Sequence, residues 1–261
     1  MIDRSSSIAN KLNIHPSVKI GPFCYIGENV KIGKNCKLVS HVSLNGNTEI
    51  GENNIFHPFC SIGSPPQDLK YKGEKNYLLI GDNNTFRENV TVNPGTSGGG
   101  LKTTIENNCL LMVGSHVAHD CKIKSNVILA NNATLAGHVD IFENAIIGGN
   151  SAIHQFVKIG KFAMIGGMSG VEKDIIPYGL YIGIRTNLKG INIIGLKRKG
   201  LSNDTINNIV YAIKDIFNNV DPIEKNIKVL RKEYKVIKEV EEIISFILSN
   251  NRRGIAKIID E

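Results

Sequence analysis

The sequence contains no tryptophan, and aromatic residues make up only 6% of its 261 residues. A core must therefore come from aliphatic and small residues, among which glycine occurs 26 times. No stretch approaches about 18 consecutive apolar residues, which excludes a membrane-spanning helix. The first residues also lack the apolar run of a signal peptide. We therefore expect a globular cytoplasmic protein without stable membrane insertion.

Cysteine is also scarce, with five residues that show no CxxC spacing. An odd number without that spacing suggests neither a disulfide framework nor a zinc ribbon. Charged residues make up 21% of the chain, too ordinary a share for a disordered protein, and the net charge is +7. One large domain, or one domain with a small appendage, is expected at this length.

A six-residue repeat organises most of the chain. Ile, Leu, Val or Phe recurs at every sixth position from 8 to 62, at 80, 86 and 92, and from 105 to 171, which makes 25 hexads. This period fits short strands separated by corners, and fits neither an α-helix nor a half-buried strand alone. Three hexads, or 18 residues, would complete one triangular coil of a parallel β-helix. All five cysteines occupy the fifth hexad position, where a small inward-facing side chain is expected.

The hexads fail around Pro177, and apolar residues at helical spacing follow further along the chain. Ser202 is expected to cap a first amphipathic helix. A second helix is expected near Pro222, and a third over residues 236–248, ended by Asn250 and Gly254. The chain is therefore predicted to divide into an all-β solenoid and an α-helical cap, at residues 1–190 and 191–261.

Polar residues break the repeat near the middle of the solenoid, where four of the seven histidines fall. Stacking of several such residues on successive coils predicts a functional site at one edge. One column is expected to contain His119, Gly137 and Gln155, and the next column Asp120, His138 and Phe156, because 18 residues separate neighbours in each.

Several chemistries fit this edge. His119 beside Asp120 could be a general base that a carboxylate orients. Gly137, which has no side chain, could offer its N–H group to a developing oxyanion. Three histidines, His116, His119 and His138, could instead bind a catalytic zinc ion. A preformed metal site within one chain is disfavoured because His116 and His119 occupy different hexad positions.

Two segments interrupt the hexads. The first, residues 64–71, should emerge as a loop from a rigid prism, which is where function often concentrates. The second, residues 95–100, is rich in glycine but follows no strand-to-helix pattern. We therefore expect a flexible loop there and no phosphate-binding loop.

Five motifs together carry a resemblance to a known family. They are IGSPPQDLKY from Ile62, VGSHVAHDC from Val113, AGHV from Ala136, IHQF from Ile153 and NIIGLKRKG from Asn192. In this order they resemble the UDP-N-acetylglucosamine acyltransferases that open lipid A biosynthesis, over nearly the whole chain. The resemblance implies a homotrimer of left-handed parallel β-helices with active sites between subunits. It also implies transfer of an (R)-3-hydroxyacyl group from acyl carrier protein to the 3-hydroxyl of UDP-N-acetylglucosamine.

The resemblance further implies a role for each motif residue. His119 would be the general base, Asp120 its support and Gly137 the oxyanion donor. No metal is implied, and no cofactor other than the 4′-phosphopantetheine thioester of the donor. Substrate binding would fall to Gln67, Asp68, Lys70, His116, His138, His154, Gln155, Asn192, Arg198 and Lys199, and the acyl-chain groove to Gly149, Gly167 and Met168.

Other functions remain open at this stage. A related N-acyltransferase acts on a 3-amino UDP-sugar, but its usual amino-terminal domain is not expected because the hexads begin at Ile8. A trimeric hydratase of the gamma carbonic anhydrase type would need bound zinc. A scaffold without catalytic activity would not need His119, Asp120 and His138 at stacked positions. We expect no nucleic-acid partner.

Overall fold

The hexads form three sheets, one on each side of a triangular prism. The computed structural model describes residues 1–218, 220–249 and 252–257, and most hexads contribute a two-residue strand that ends on the aliphatic residue. In such a strand one side chain points outward and the next inward, as in exposed Lys31 and buried Ile32. The predicted parallel β-helix is therefore confirmed.

The chain visits the three sheets in turn, and strands within the prism pair in parallel. The first sheet contains Ser7–Ile8, Tyr25–Ile26, Ser43–Leu44, Ser61–Ile62, Thr91–Val92, His116–Val117, Thr134–Leu135, Ala152–Ile153 and Gly170–Val171. The second contains Lys31–Ile32, Asn47–Ile50, Tyr77–Ile80, Lys102–Ile105, Lys122–Ile123, Asp140–Ile141 and Lys158–Ile159. The third contains Lys19–Ile20, Lys37–Leu38, Ile55–Phe56, Thr85–Phe86, Leu110–Leu111, Ile128–Leu129, Ile146–Ile147, Met164–Ile165, Gly179–Ile182 and Asn187–Ile191.

The register follows the hexad count. Leu135 pairs with Ile153, 18 residues later, and the same step relates most neighbouring coils. Longer steps occur only beside the two interrupting segments, where Ile62 pairs with Val92 and Val92 with Val117. The interior is aliphatic, and all five cysteines are buried there as expected. Burial raises the pKa of the Cys60 thiol to about 12, so this thiol stays protonated.

Among the described residues five helices follow the last strand, two more than the sequence predicted, and the additional ones are Ile193–Arg198 and Lys232–Lys235. Ser202 caps the helix Asn203–Ile216 as predicted, because its Oγ accepts a hydrogen bond from the N–H of Thr205. The predicted start near Pro222 is also confirmed. The last helix begins at Lys238 rather than at residue 236, since the backbone of Ile237 is extended. The helices are Ile193–Arg198, Asn203–Ile216, Ile223–Val229, Lys232–Lys235 and Lys238–Leu248.

The end of the described chain returns to the prism. Asp174 donates its N–H to the carbonyl of Gly254 at 2.8 Å and accepts from the N–H of Ala256 at 2.9 Å. The last strand ends at Ile191, close to the predicted division at residue 190, and the division into two domains stays a prediction. Asn250, expected to end the third helix, lies outside the described residues. Within the described ranges, every helix is too short or too polar to cross a membrane.

Candidate active site

His119 and Asp120 form a buried hydrogen-bonded pair at the corner after the strand His116–Val117. The Nδ1 atom of His119 lies 2.8 Å from Oδ2 of Asp120. Because an ionised carboxylate only accepts hydrogen bonds, Nδ1 carries the proton and Nε2 is the basic nitrogen. The sequence-predicted base and its supporting carboxylate are therefore in direct contact.

The carboxylate of Asp120 is held from a second side by the glycine-rich segment. The backbone N–H of Thr96 donates to Oδ1 at 2.9 Å and its hydroxyl donates to Oδ2 at 2.6 Å. Burial raises the pKa of Asp120, but hydrogen bonds from His119 and Thr96 outweigh it and lower the pKa overall. These contacts stabilise the folded state at pH values above the ordinary pKa of a carboxyl group. Their contribution to the free energy of unfolding is lost as the pH falls through the lowered pKa of Asp120.

The expectation that residues 95–100 form a flexible loop is wrong. Gly99 packs so tightly against the acid that an added Cβ would lie 2.0 Å from Cγ of Asp120. The N–H of Ser97 donates to Oε1 of Glu74 at 3.1 Å, which ties this segment to the chain after the first loop. In the sequence, only the cluster of glycines marked this segment as unusual. The contact between Thr96 and Asp120 could not be predicted from residue spacing, because the hexad repeat is interrupted between them.

Gly137 lies one coil above the imidazole of His119. An added Cβ would be 2.5 Å from Cε1 and 2.7 Å from Nε2, so only glycine fits against this ring. Within the described residues, no group accepts a hydrogen bond from the Gly137 N–H. An unpaired donor and a basic nitrogen therefore lie beside each other.

The adjoining column contains Asp120, His138 and Phe156, as the coil arithmetic predicted. Nδ1 of His138 lies 3.9 Å from Oδ2 of Asp120, and its ring stacks on Phe156 with centroids 4.5 Å apart. Desolvation lowers the pKa of His138, which favours the neutral imidazole. All three backbones are left-handed, with φ of 61°, 61° and 68°. Asparagine fills many other such corners, so this backbone conformation belongs to the corners of the prism in general.

The first loop approaches the same column. Asp68 acts electrostatically on His138, and its Oδ1 accepts a hydrogen bond from the N–H of Lys70 at 2.9 Å. The side chains of Gln67 and Lys70 are exposed. His116 lies below, with Nδ1 2.7 Å from the hydroxyl of Thr91, and desolvation lowers the pKa of this histidine.

Two arginines that sequence reasoning missed approach the column from the end of the chain. Arg253 donates from Nε to the carbonyl of Gln155 at 2.8 Å, and its guanidinium contacts the ring of His154. The guanidinium carbon of Arg252 lies 3.6 Å from the ring centroid of Phe156. No motif or spacing in the sequence links these residues to the histidines.

Three predicted substrate residues lie elsewhere on the chain. Asn192 caps the helix Ile193–Arg198 by accepting from the N–H of Gly195. Asn192 and Arg198 line an apolar cavity of about 500 Å³ against the third sheet. The corner of His119 lies between the first and second sheets, so this cavity is on the opposite side of the prism. Lys199 is paired with Glu239 at 2.7 Å.

The acyl-groove candidates lie on a different corner, between the third and first sheets. Gly149 and Gly167 stack on successive coils, because a Cβ on Gly167 would lie 3.3 Å from the carbonyl oxygen of Gly149. Met168 projects into solvent and donates its N–H to that same oxygen at 2.8 Å. The stacking predicted for the two glycines is confirmed.

Three residues of this corner are also possible metal ligands. His119, Asp120 and His138 offer ligand atoms within 4.8 Å of one another. Both oxygens of Asp120 already accept hydrogen bonds, and Nδ1 of His119 is occupied by one of them. A metal would therefore have to displace the contacts that hold the carboxylate, which favours acid–base chemistry.

Comparison with known proteins gives a consistent result. The model of domain 2 of UDP-N-acetylglucosamine O-acyltransferase matches residues 174–256, and that of the bacterial transferase hexapeptide matches residues 12–46 and 102–137. An acyl-[acyl-carrier-protein]–UDP-N-acetylglucosamine O-acyltransferase of Rickettsia canadensis is 53% identical, covering 97% of this chain and 96% of the relative. The chain belongs to the UDP-N-acetylglucosamine O-acyltransferases.

Solved structures of this family agree with the fold. The UDP-N-acetylglucosamine acyltransferase from Bacteroides fragilis is 40% identical, covers 98% of this chain and 100% of its own, and superposes with a TM-score of 0.91. The acyltransferase from Francisella novicida is 36% identical, with coverage of 98% and 94% and a TM-score of 0.92. The coils of the acyltransferase fold are left-handed, as the sequence resemblance implied.

Proposed function

We propose that this chain transfers an (R)-3-hydroxyacyl group from acyl carrier protein to the 3-hydroxyl of UDP-N-acetylglucosamine, the first step of lipid A biosynthesis. One observation carries the proposal beyond family membership. The buried His119–Asp120 pair lies directly beside the unpaired N–H of Gly137. We further propose that the enzyme works in the cytoplasm and needs no cofactor besides the carrier's thioester.

The reaction follows from these three residues. Nε2 of His119 takes the proton of the sugar 3-hydroxyl while the oxygen attacks the thioester carbonyl. Asp120 stabilises the imidazolium that forms, and the N–H of Gly137 donates to the tetrahedral oxyanion. The intermediate then collapses, the C–S bond breaks, and the imidazolium returns the proton to the departing thiolate. The ester product leaves His119 neutral for the next cycle.

The proposal is tested by an acyl-transfer assay with radiolabelled, carrier-bound 3-hydroxyacyl chains. UDP-N-acetylglucosamine and its 3-amino analogue are offered as acceptors in parallel. We expect an alkali-labile ester on the 3-hydroxyl sugar and slower transfer to the amine. Faster formation of a stable amide on the amino sugar would favour the related N-acyltransferase. No transfer to either acceptor would refute the proposal.

Activity should be independent of metal, because hydrogen bonds already occupy both carboxylate oxygens of Asp120, in the only His–Asp–His cluster found among the described residues. Prolonged chelation followed by gel filtration should leave turnover within about twofold of the untreated enzyme. The metal content of both samples is measured in parallel. Stoichiometric zinc that is lost together with the activity would support the hydratase-like alternative instead.

The active site needs a second subunit if Arg198 is to contact the nucleotide, since Arg198 and His119 lie on opposite sides of one prism. We therefore propose a homotrimer in which Asn192 and Arg198 of one subunit complete the site at His119 of the next. Lys199 contributes less directly, because its ammonium group is engaged by Glu239.

Co-expression of two inactive variants tests the shared site. His119→Ala and Arg198→Ala should each be nearly inactive alone. Mixed trimers should regain activity, because every trimer that contains both variants has both residues intact at one of its three sites, or about a third of the sites. Activity is measured on trimers purified through two different affinity tags. If the mixed trimers show no gain over the separate variants, the site lies within one subunit or Arg198 has no role.

The donor chain is proposed to run along the corner at Gly149 and Gly167. A side chain at Gly167 meets only the carbonyl of Gly149 at 3.3 Å, so Gly167→Met should fold and narrow the groove. Each methylene contributes about 0.8 kcal/mol of burial, so preference should move several-fold per carbon toward shorter donors. Competition between carrier-bound chains measures the preference of both enzymes. An unchanged preference would mean that Gly167 does not limit the chain.

A further inference from the structure

An arginine that has no carboxylate partner among the described residues, Arg252, lies beside the catalytic column. The guanidinium carbon of Arg252 is 3.6 Å from the ring centroid of Phe156, which stacks on His138. His138 in turn meets the ring of His119 edge to face, with centroids 5.1 Å apart. The side chain of Arg252 is exposed, and none of the described residues forms a hydrogen bond or ion pair with it. A free positive charge therefore lies at the outer end of the column of rings.

The position of this charge is set by the prism. Arg253, the next residue, donates to the carbonyl of Gln155 at 2.8 Å. Two further backbone hydrogen bonds join Asp174 to Gly254 and Ala256, at 2.8 and 2.9 Å. The segment thus follows the last coil with three anchors in four residues. The backbone beside Arg252 is therefore anchored to the prism, and the contact with Phe156 positions its guanidinium.

A stacked guanidinium keeps its donors available. The aromatic ring of Phe156 contacts the face of the group, while the five N–H donors lie in its plane and point outward. Such an edge matches the oxygens of a phosphate in a bidentate arrangement.

We propose that Arg252 binds a phosphate group of a substrate in the active site. This inference rests on the proposed function, in which two phosphate-bearing groups come near the column. One is the diphosphate of the UDP-sugar, and the other is the phosphodiester of the donor's 4′-phosphopantetheine. Both present the same singly charged oxygens to the guanidinium.

The test uses Arg252→Gln, which keeps a planar group against Phe156 but removes the charge, and Arg252→Lys, which keeps the charge. Binding of UDP and of uridine is measured by calorimetry on the full-length enzyme. The second-order rate is measured with acyl-4′-phosphopantetheine and with acyl-pantetheine, which differs from it only in lacking the phosphate. Arg231→Gln is the matched control, because Arg231 also lies over an aromatic ring, that of Tyr234, on the helical cap.

We expect Arg252→Gln to weaken one phosphate-bearing ligand about tenfold or more while its phosphate-free counterpart is unchanged. If binding of UDP weakens but binding of uridine does not, Arg252 contacts the nucleotide. If the rate falls with acyl-4′-phosphopantetheine but not with acyl-pantetheine, Arg252 contacts the donor. Arg252→Lys should recover part of the loss, and the control should match wild type.

The phosphate-binding role would be wrong if Arg252→Gln weakened each phosphate-bearing ligand and its phosphate-free counterpart equally, or weakened neither. Arg252 would then only pack against the ring of Phe156. Wild-type enzyme that neither bound UDP nor transferred an acyl group would refute the proposed function itself. The two failures are therefore distinguishable in one set of measurements.

Discussion

Replacing His119 by alanine should lower turnover by about a hundred- to ten-thousand-fold, the range associated with loss of a general base. The physical reason is that Nε2 of His119 is the basic nitrogen beside the Gly137 N–H, and Nδ1 is already held by Asp120 at 2.8 Å. Single-turnover kinetics on the purified variant measures the effect. Binding of the UDP-sugar should survive, because the proposed sugar contacts come from other residues.

His15→Ala is the matched control for this substitution. His15 is an exposed histidine in the first coils of the prism, and within the described residues its ring forms hydrogen bonds only with Ser17. It should retain wild-type turnover and thermal stability. If His119→Ala stays within a few-fold of wild type while it remains folded, another group is the base and the mechanism is wrong.

Replacing Gly99 by alanine should also lower turnover strongly, although Gly99 touches no reacting atom. The new methyl group would lie 2.0 Å from Cγ and 2.4 Å from Cβ of Asp120, so the carboxylate must move away from Thr96 and His119. Displacement of a catalytic group by about 1 Å costs about a hundredfold in rate. Overpacking should also reduce the free energy of unfolding by about 1–3 kcal/mol. Turnover and urea unfolding measure the two effects.

Gly98→Ala provides the comparison within the same segment. A methyl group on Gly98 meets only the hydroxyl of Thr96 at 3.8 Å, an ordinary contact. This variant should keep nearly full activity. The comparison therefore distinguishes the loss of a flexible glycine in this segment from steric displacement of the Asp120 side chain. Wild-type turnover in Gly99→Ala would mean that the contacts from Thr96 do not position the base.

The sequence by itself determined the prism and its register. A period of six residues admits few structures, and the 18-residue coil places His119 under Gly137 and Asp120 under His138 without knowledge of any coordinate. The starts of two helices could be predicted equally well, because Ser202 and Pro222 influence the backbone only within a few residues of themselves. These features are local or strictly periodic, so counting along the chain suffices to find them.

The tertiary structure alone decided what surrounds the acid–base pair. Thr96 and Gly99 reach Asp120 from a segment that breaks the hexad frame, and Arg252 reaches Phe156 from almost a hundred residues away. The separation of Arg198 from His119 also became visible only when the strands were assigned to sheets. Contacts of this kind depend on how aperiodic segments fold back onto the prism, and neither residue spacing nor local propensity encodes that path.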